Sequence, residues 1–234
     1  MATKKTKGKW IVKLLKAAVT AYLLLILCQM IGNAYSRLSI THKIPVSEEW
    51  NLIVVNRWNE LPEDYSVELT ELSNGQKVDS RIYPYLQEMF DAARAEGIYP
   101  IVREGYRTAE EQQEILDDKI QTYIIQGYSQ SRAEKTAKEW VALPGTSEHQ
   151  LGIAVDINAD KSKCSNEDVY GWLAENAYKY GFVLRYPPGK QKITGTSYEP
   201  WHYRYVGEEA AKEIYERGIC LEEYFKQMIE EVGL

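Results

Sequence analysis

Cysteine and histidine are scarce: the 234 residues hold three of each. No cysteine stands in a CxxC pair, which excludes a thiolate zinc knuckle. Cys28 falls in an apolar stretch, so Cys164 and Cys220 form either one disulfide or two free thiols. Basic residues are also scarce beyond the first turn of sequence. Residues 1–16 contain six of the 28 lysines and arginines and no acid, leaving 22 basic against 34 acidic, a net of −12. A body of that sign argues against nucleic acid, whose phosphates need a basic face. Internal repeats, low-complexity segments and nucleotide or redox signatures are absent. Long hydrophobic runs number one.

That run, AAVTAYLLLILCQMI (17–31), extends to 22 residues when counted from Trp10, provided Lys13 and Lys16 snorkel. This length crosses a bilayer core of roughly 30 Å. The lysine-rich flank predicts a signal anchor over 10–31, with 1–9 as a cytoplasmic tail and the body outside the cell membrane. A signal peptide cleaved near Gly32-Asn33-Ala34 is the competing reading. Residues 32–49 read as a polar stalk and 50–234 as one folded domain, with 44% hydrophobic residues in the whole chain.

Within the domain the periodicities alternate. WNLIVV (50–55) is β-rich, and 83–96 is helical with Gly97 as its stop. Residues 98–102 read as a buried strand. Thr108-Ala-Glu-Glu111 is a capping box opening a helix to about 126, and Ser131 with Glu134 repeats the signal for a helix to about 140. Further helices are expected at 166–180, 208–217 and 221–232, with strands at 182–186 and 201–206. Helices around a few short strands predict an α+β domain.

The domain has only two histidines, since His42 lies in the stalk. One stands in SEHQLGIAVD (147–156) and the other in EPWH (199–202). Two histidines, Asp156 and a nearby Glu199 are what a catalytic zinc site requires: three ligands, an open position and a base. Spacing is an obstacle, because side chains seven apart on a regular strand face opposite ways. Gly152 therefore predicts a turn that swings His149 round, while Ile153, Val155 and Ile157 face the core. Glu199 is placed on a loop made irregular by Pro200, and His202 on the following strand. Glu148 is expected to face solvent, as neighbours on an extended chain diverge. Taken from the residues alone, a metal site and a set of unrelated polar groups both stay open.

The motifs in combination go further. SEHQLGIAVD resembles the SxHxxGxAxD element, EPWH the ExxH element, and GYRTAEEQQ (105–113) the GYRS-x-x-x-Q element of VanY-type zinc D-Ala-D-Ala carboxypeptidases. That group includes dipeptidases, L,D-carboxypeptidases and Hedgehog-like folds, and the likeness covers roughly 50–210. It implies a small mixed or antiparallel sheet surrounded by helices. By position it makes His149, Asp156 and His202 zinc ligands, Glu199 the general base for zinc-activated water, and Arg107 the substrate-polarising residue. Ser147 and Gln112 fall on substrate-contacting positions, with Arg103 a weaker rival to Arg107. Thr108 and Glu104 depart from the pattern beside Arg107, which bears on substrate preference. The implied function is removal of the terminal D-alanine from peptidoglycan stem peptides. Alternatives are L,D-carboxypeptidase action on tetrapeptides and a non-catalytic wall-binding module.

Overall fold

The computed structural model describes Ile44, Ser47 and residues 49–232. The expected tail, anchor and most of the stalk lie outside the described residues. Among those described, no helix is long and apolar enough to cross a membrane.

The site is carried by a four-stranded antiparallel sheet. Its strands are β3 (Pro100–Glu104), β4 (Ala154–Ala159), β5 (Phe182–Leu184) and β6 (His202–Tyr205), in the order β3-β4-β6-β5. A separate hairpin pairs β1 (Leu69–Glu71) with β2 (Lys77–Asp79). All pairings are antiparallel, so the α+β expectation holds and the sheet is not mixed.

Helix α1 (Tyr83–Ala95) packs on the sheet through Leu86, Met89 and Phe90. On β4, Val155 and Ile157 are fully buried, as is Ile153 just before it, whereas Asp156 stays partly open. Burying such a side chain contributes roughly 1.5–3 kcal/mol, so alternation fixes which face Asp156 takes. A second apolar cluster joins Leu52 and Val54 to α6 (Glu208–Arg217) and α7 (Leu221–Val232).

Helix α2 (Ala109–Ile125) starts as expected: Thr108 accepts from the Glu111 backbone and Glu111 reaches back to Thr108. Helix α3 (Gln130–Ala137) differs. It begins after Ser129 rather than Ser131, and it ends before Trp140. Helix α4 (Asn166–Asn176) passes into a 3-10 turn to Tyr180, stopped by Gly181 at φ 79°. A short α5 (Gln191–Thr194) fills the loop between β5 and β6.

WNLIVV does not form a strand. Trp50–Leu52 is a 3-10 turn and the following residues run without a sheet partner, their apolar character spent on core contacts instead. Cys164 and Cys220 are free thiols.

Candidate active site

His149 does not lie on a strand. It sits in a 3-10 turn, Glu148–Leu151, that ends at Gly152 with φ 75°. A side chain is strained at that φ, and an added Cβ would also stand 3.1 Å from the Asp79 nitrogen. The turn removes the parity obstacle, bringing His149 Nε2 to 3.5 Å from Asp156 Oδ1. Antiparallel register supplies the third group: Asp156 lies directly opposite His202, with His202 Nδ1 at 3.0 Å from the same oxygen. The two imidazoles meet edge to face, their centroids 4.9 Å apart.

These three residues line a cavity of about 400 Å³. Glu199, on the loop before β6, points its Oε2 to within 3.8 Å of His202 Nδ1 and is 7% exposed. Arg107 lines the same cavity, and its Nη1 donates to Gln112 Oε1 at 2.8 Å. Gln112 is itself tied to the Ala142 carbonyl, so it holds the guanidinium in place. Ser147 is buried in the cavity wall. Arg103 is displaced from this group: its side chain is 67% exposed and faces Glu104. Glu104 reaches Arg107 at 3.6 Å, and Thr108 is spent as a helix cap. Trp201 borders the cavity, while Tyr203 and Tyr205 are core residues.

The charges are arranged for a cation. Burial alone would push His202 down, but Asp156 and Glu148 carry it up to about 9. Burial lowers His149, with Asp156 opposing. Asp156 would be raised by burial, yet the two histidines hold it well below the usual carboxylate range. Burial pushes Glu199 up to about 7, with His202 and Arg107 opposing. Asp156 Oδ1 is buried and lacks a well-directed hydrogen bond, although two imidazole nitrogens face it. Ligands of a tetrahedral zinc at about 2.1 Å stand roughly 3.4 Å from one another. One donor atom from each of the three residues lies within 4.8 Å of the others. The donor set therefore fits zinc: two imidazoles and one carboxylate on a cavity shared with Glu199.

Comparison with known proteins agrees. The VanY sequence family, described as D-alanyl-D-alanine carboxypeptidase, matches residues 75–208. The chain belongs to the VanY family. A D-alanyl-D-alanine carboxypeptidase of Enterococcus faecalis (strain ATCC 700802 / V583) is 61% identical over 177 residues, covering 76% of this chain and 66% of that protein. Thus the chain spans about two thirds of that relative's length. A solved structure of VanYB in complex with D-alanine-D-alanine superposes with a TM-score of 0.75 at 61% identity, covering 76% of this chain and 98% of the other. Another, of a variant VanY D,D-pentapeptidase in complex with Zn(II), gives 0.74 at 61% identity, covering 75% and 99%.

One residue beside the site of this VanY-family chain corrects the sequence reading. Glu148 does not face solvent; it is 1% exposed. Its Oε1 accepts from Arg185 Nε at 2.8 Å and from Arg204 Nη1 at 2.9 Å. Extended-chain divergence fails because the residue sits in a 3-10 turn. Arg185, in turn, makes a two-pronged contact with Glu222 at 2.6 and 2.9 Å. Arg185, Arg204 and Glu222 escaped the sequence reading. The available signal was a pair of arginines in the apolar stretches FVLRY and WHYRYV, where a charge demands a partner.

Proposed function

We propose that this chain is a zinc-dependent carboxypeptidase that removes the C-terminal D-alanine from peptidoglycan stem peptides. The observation that carries the reading is the convergence of His149, Asp156 and His202 on one point, with Glu199 and Arg107 in the same cavity. The two solved relatives support it, one described with Zn(II) and one with D-alanine-D-alanine.

His149, Asp156 and His202 would hold the metal. Bound zinc supplies Lewis acidity, polarising a carbonyl and lowering the pKa of water from 15.7 to about 7. Glu199 accepts one proton from the attacking water as its oxygen bonds to the scissile carbonyl carbon. The C–N bond then breaks and Glu199 returns that proton to the amine of the departing D-alanine. A carboxylate raised to about 7 by burial suits both halves of that exchange. Arg107, fixed by Gln112, pairs with negative charge on the peptide end or the carbonyl oxygen. Ser147 lines the same cavity, where it would contact the bound peptide.

The substrate lies outside the membrane, which agrees with an N-terminal anchor over residues 10–31 and an extracytoplasmic domain. The basic flank and the apolar run support that placement. Extraction of the full chain by detergent but not by alkaline carbonate tests the anchor.

For the activity, the full chain in detergent is incubated with a pentapeptide ending in D-Ala-D-Ala and, in parallel, with the tetrapeptide. Release of one D-alanine from the pentapeptide, lost with chelator and restored by zinc, is expected. Cleavage of the tetrapeptide alone would make the enzyme an L,D-carboxypeptidase, and no cleavage of either sinks the reading.

A further inference from the structure

Both candidate metal-binding imidazoles have a second nitrogen that points away from Asp156. For His149 its partner is plain: Nδ1 lies 2.8 Å from the Gly105 carbonyl. That contact needs glycine at 105, because an added Cβ would stand 2.1 Å from the Lys77 oxygen. For His202 the second nitrogen is Nε2, buried and without a hydrogen-bond partner. Glu148 Oε2 is likewise buried and unpartnered. These two orphan atoms face each other at 3.8 Å.

We infer that Glu148 is a positioning residue for the metal site, holding His202 in the tautomer that carries its proton on Nε2 and turns a lone pair on Nδ1 toward Asp156. The inference rests on the zinc reading above and deepens it. Glu148 Oε2 is the carboxylate oxygen that faces this buried nitrogen, 3.8 Å away, and a metal ligand's other ring nitrogen typically donates to such a group. With the proton there, Nδ1 is left free 3.0 Å from Asp156 Oδ1. Glu148 cannot move away, because its Oε1 is held by Arg185 and Arg204. It also precedes His149 in the same 3-10 turn, so anchoring its side chain anchors the backbone of the first ligand. Arg185 adds a second tie, its backbone nitrogen donating to the His202 carbonyl at 3.1 Å. One carboxylate thereby positions both histidines.

The test compares E148Q with E222Q in the full chain. Both variants remove a charge from the same arginine network, but the ion pairs of Glu222 run to Arg185 and not to His202. Zinc affinity, measured by competition with a chromophoric chelator on folded protein, is expected to fall about 10–100-fold for E148Q. For E222Q it should change less than threefold, although thermal stability falls in both. Should E148Q fail to fold, long-range ¹H–¹⁵N correlation of the histidines in zinc-loaded wild type decides. The expected signature is His202 protonated on Nε2 with zinc on Nδ1; zinc on Nε2 overturns the inference. Equal zinc affinity for E148Q and wild type overturns it too. A wild-type chain that takes up no zinc overturns the metal reading itself, and the inference with it.

Discussion

Two charged clusters meet at the boundary between Glu148 and His202, and they are finished differently. On the inner side, Glu148 and Glu222 are matched by Arg185 and Arg204, all four nearly or fully buried. Arg204 further donates to the Asn51 and Ile53 carbonyls, closing the network onto the chain segment before β1. On the outer side, Asp156, Glu199 and two histidines face a cavity, and Asp156 Oδ1 and Arg107 Nε are unpartnered. Buried polar atoms are nearly always hydrogen-bonded, so the arginine-matched oxygens of Glu148 and Glu222 belong to a structural network and the cavity-facing Asp156 Oδ1 points to a ligand; Glu148 Oε2 stands at the boundary, facing His202 Nε2. Burial and charge are alike on both sides. Completeness separates them.

The comparison breaks most visibly if the outer cluster is cut. Asp156→Ala is expected to abolish zinc uptake and reduce D-alanine release to background while leaving the circular dichroism spectrum intact. A stable variant that still binds stoichiometric zinc would remove the reason for calling the cluster incomplete.

Next in size, Glu199→Gln should lower kcat about 10²–10⁴-fold with zinc retained. Its melting temperature should hold or rise, since the native pocket raises the carboxyl rather than stabilising its charge. A clear fall in melting temperature would place Glu199 with the structural cluster instead.

On the inner side the effect is on stability. Arg185→Met takes from Glu222 its ion-pair partner and leaves Glu148 with Arg204 alone, and breaking a buried pair typically costs about 3–5 kcal/mol. At about 2–4 °C per kcal/mol for a domain of this size, the melting temperature should drop by roughly 6–20 °C. A drop under about 2 °C would mean the network does not hold the fold.

The smallest effect concerns access. Cys220 is 1% exposed, and burial with the nearby Glu222 charge pushes its thiol up to about 12. Alkylation of native protein near pH 8 should mark Cys164 well before Cys220, as read by peptide mass spectrometry. Fast labelling of Cys220 would show that the inner side opens.

Local chemistry was readable along the chain. The Thr108 box, the Gly97 stop and the helices at 208–217 and 221–232 stand where their signals put them. So does the site's least intuitive feature, the turn at Gly152, which the odd spacing of His149 and Asp156 demanded. The β1–β2 hairpin escaped because its strands are three residues each, too short for alternation to register despite the Asn74-Gly75 signal. WNLIVV misled because burial in a core and burial in a sheet leave the same apolar run.

Sequence by itself, through motifs that resemble those of a known family, singled out the groups to be brought together: two histidines, an aspartate and a glutamate, whose spacing asks the backbone to turn if they share a metal. Only the tertiary structure decided which buried charges are satisfied. Arg185 lies 37 residues from both Glu148 and Glu222, and Arg204 lies 56 from Glu148. Caps and periodicities act between neighbours in the chain, so sequence records them. Hydrogen bonds and ion pairs act over a few ångströms of space, and that distance exists only once the strands have paired.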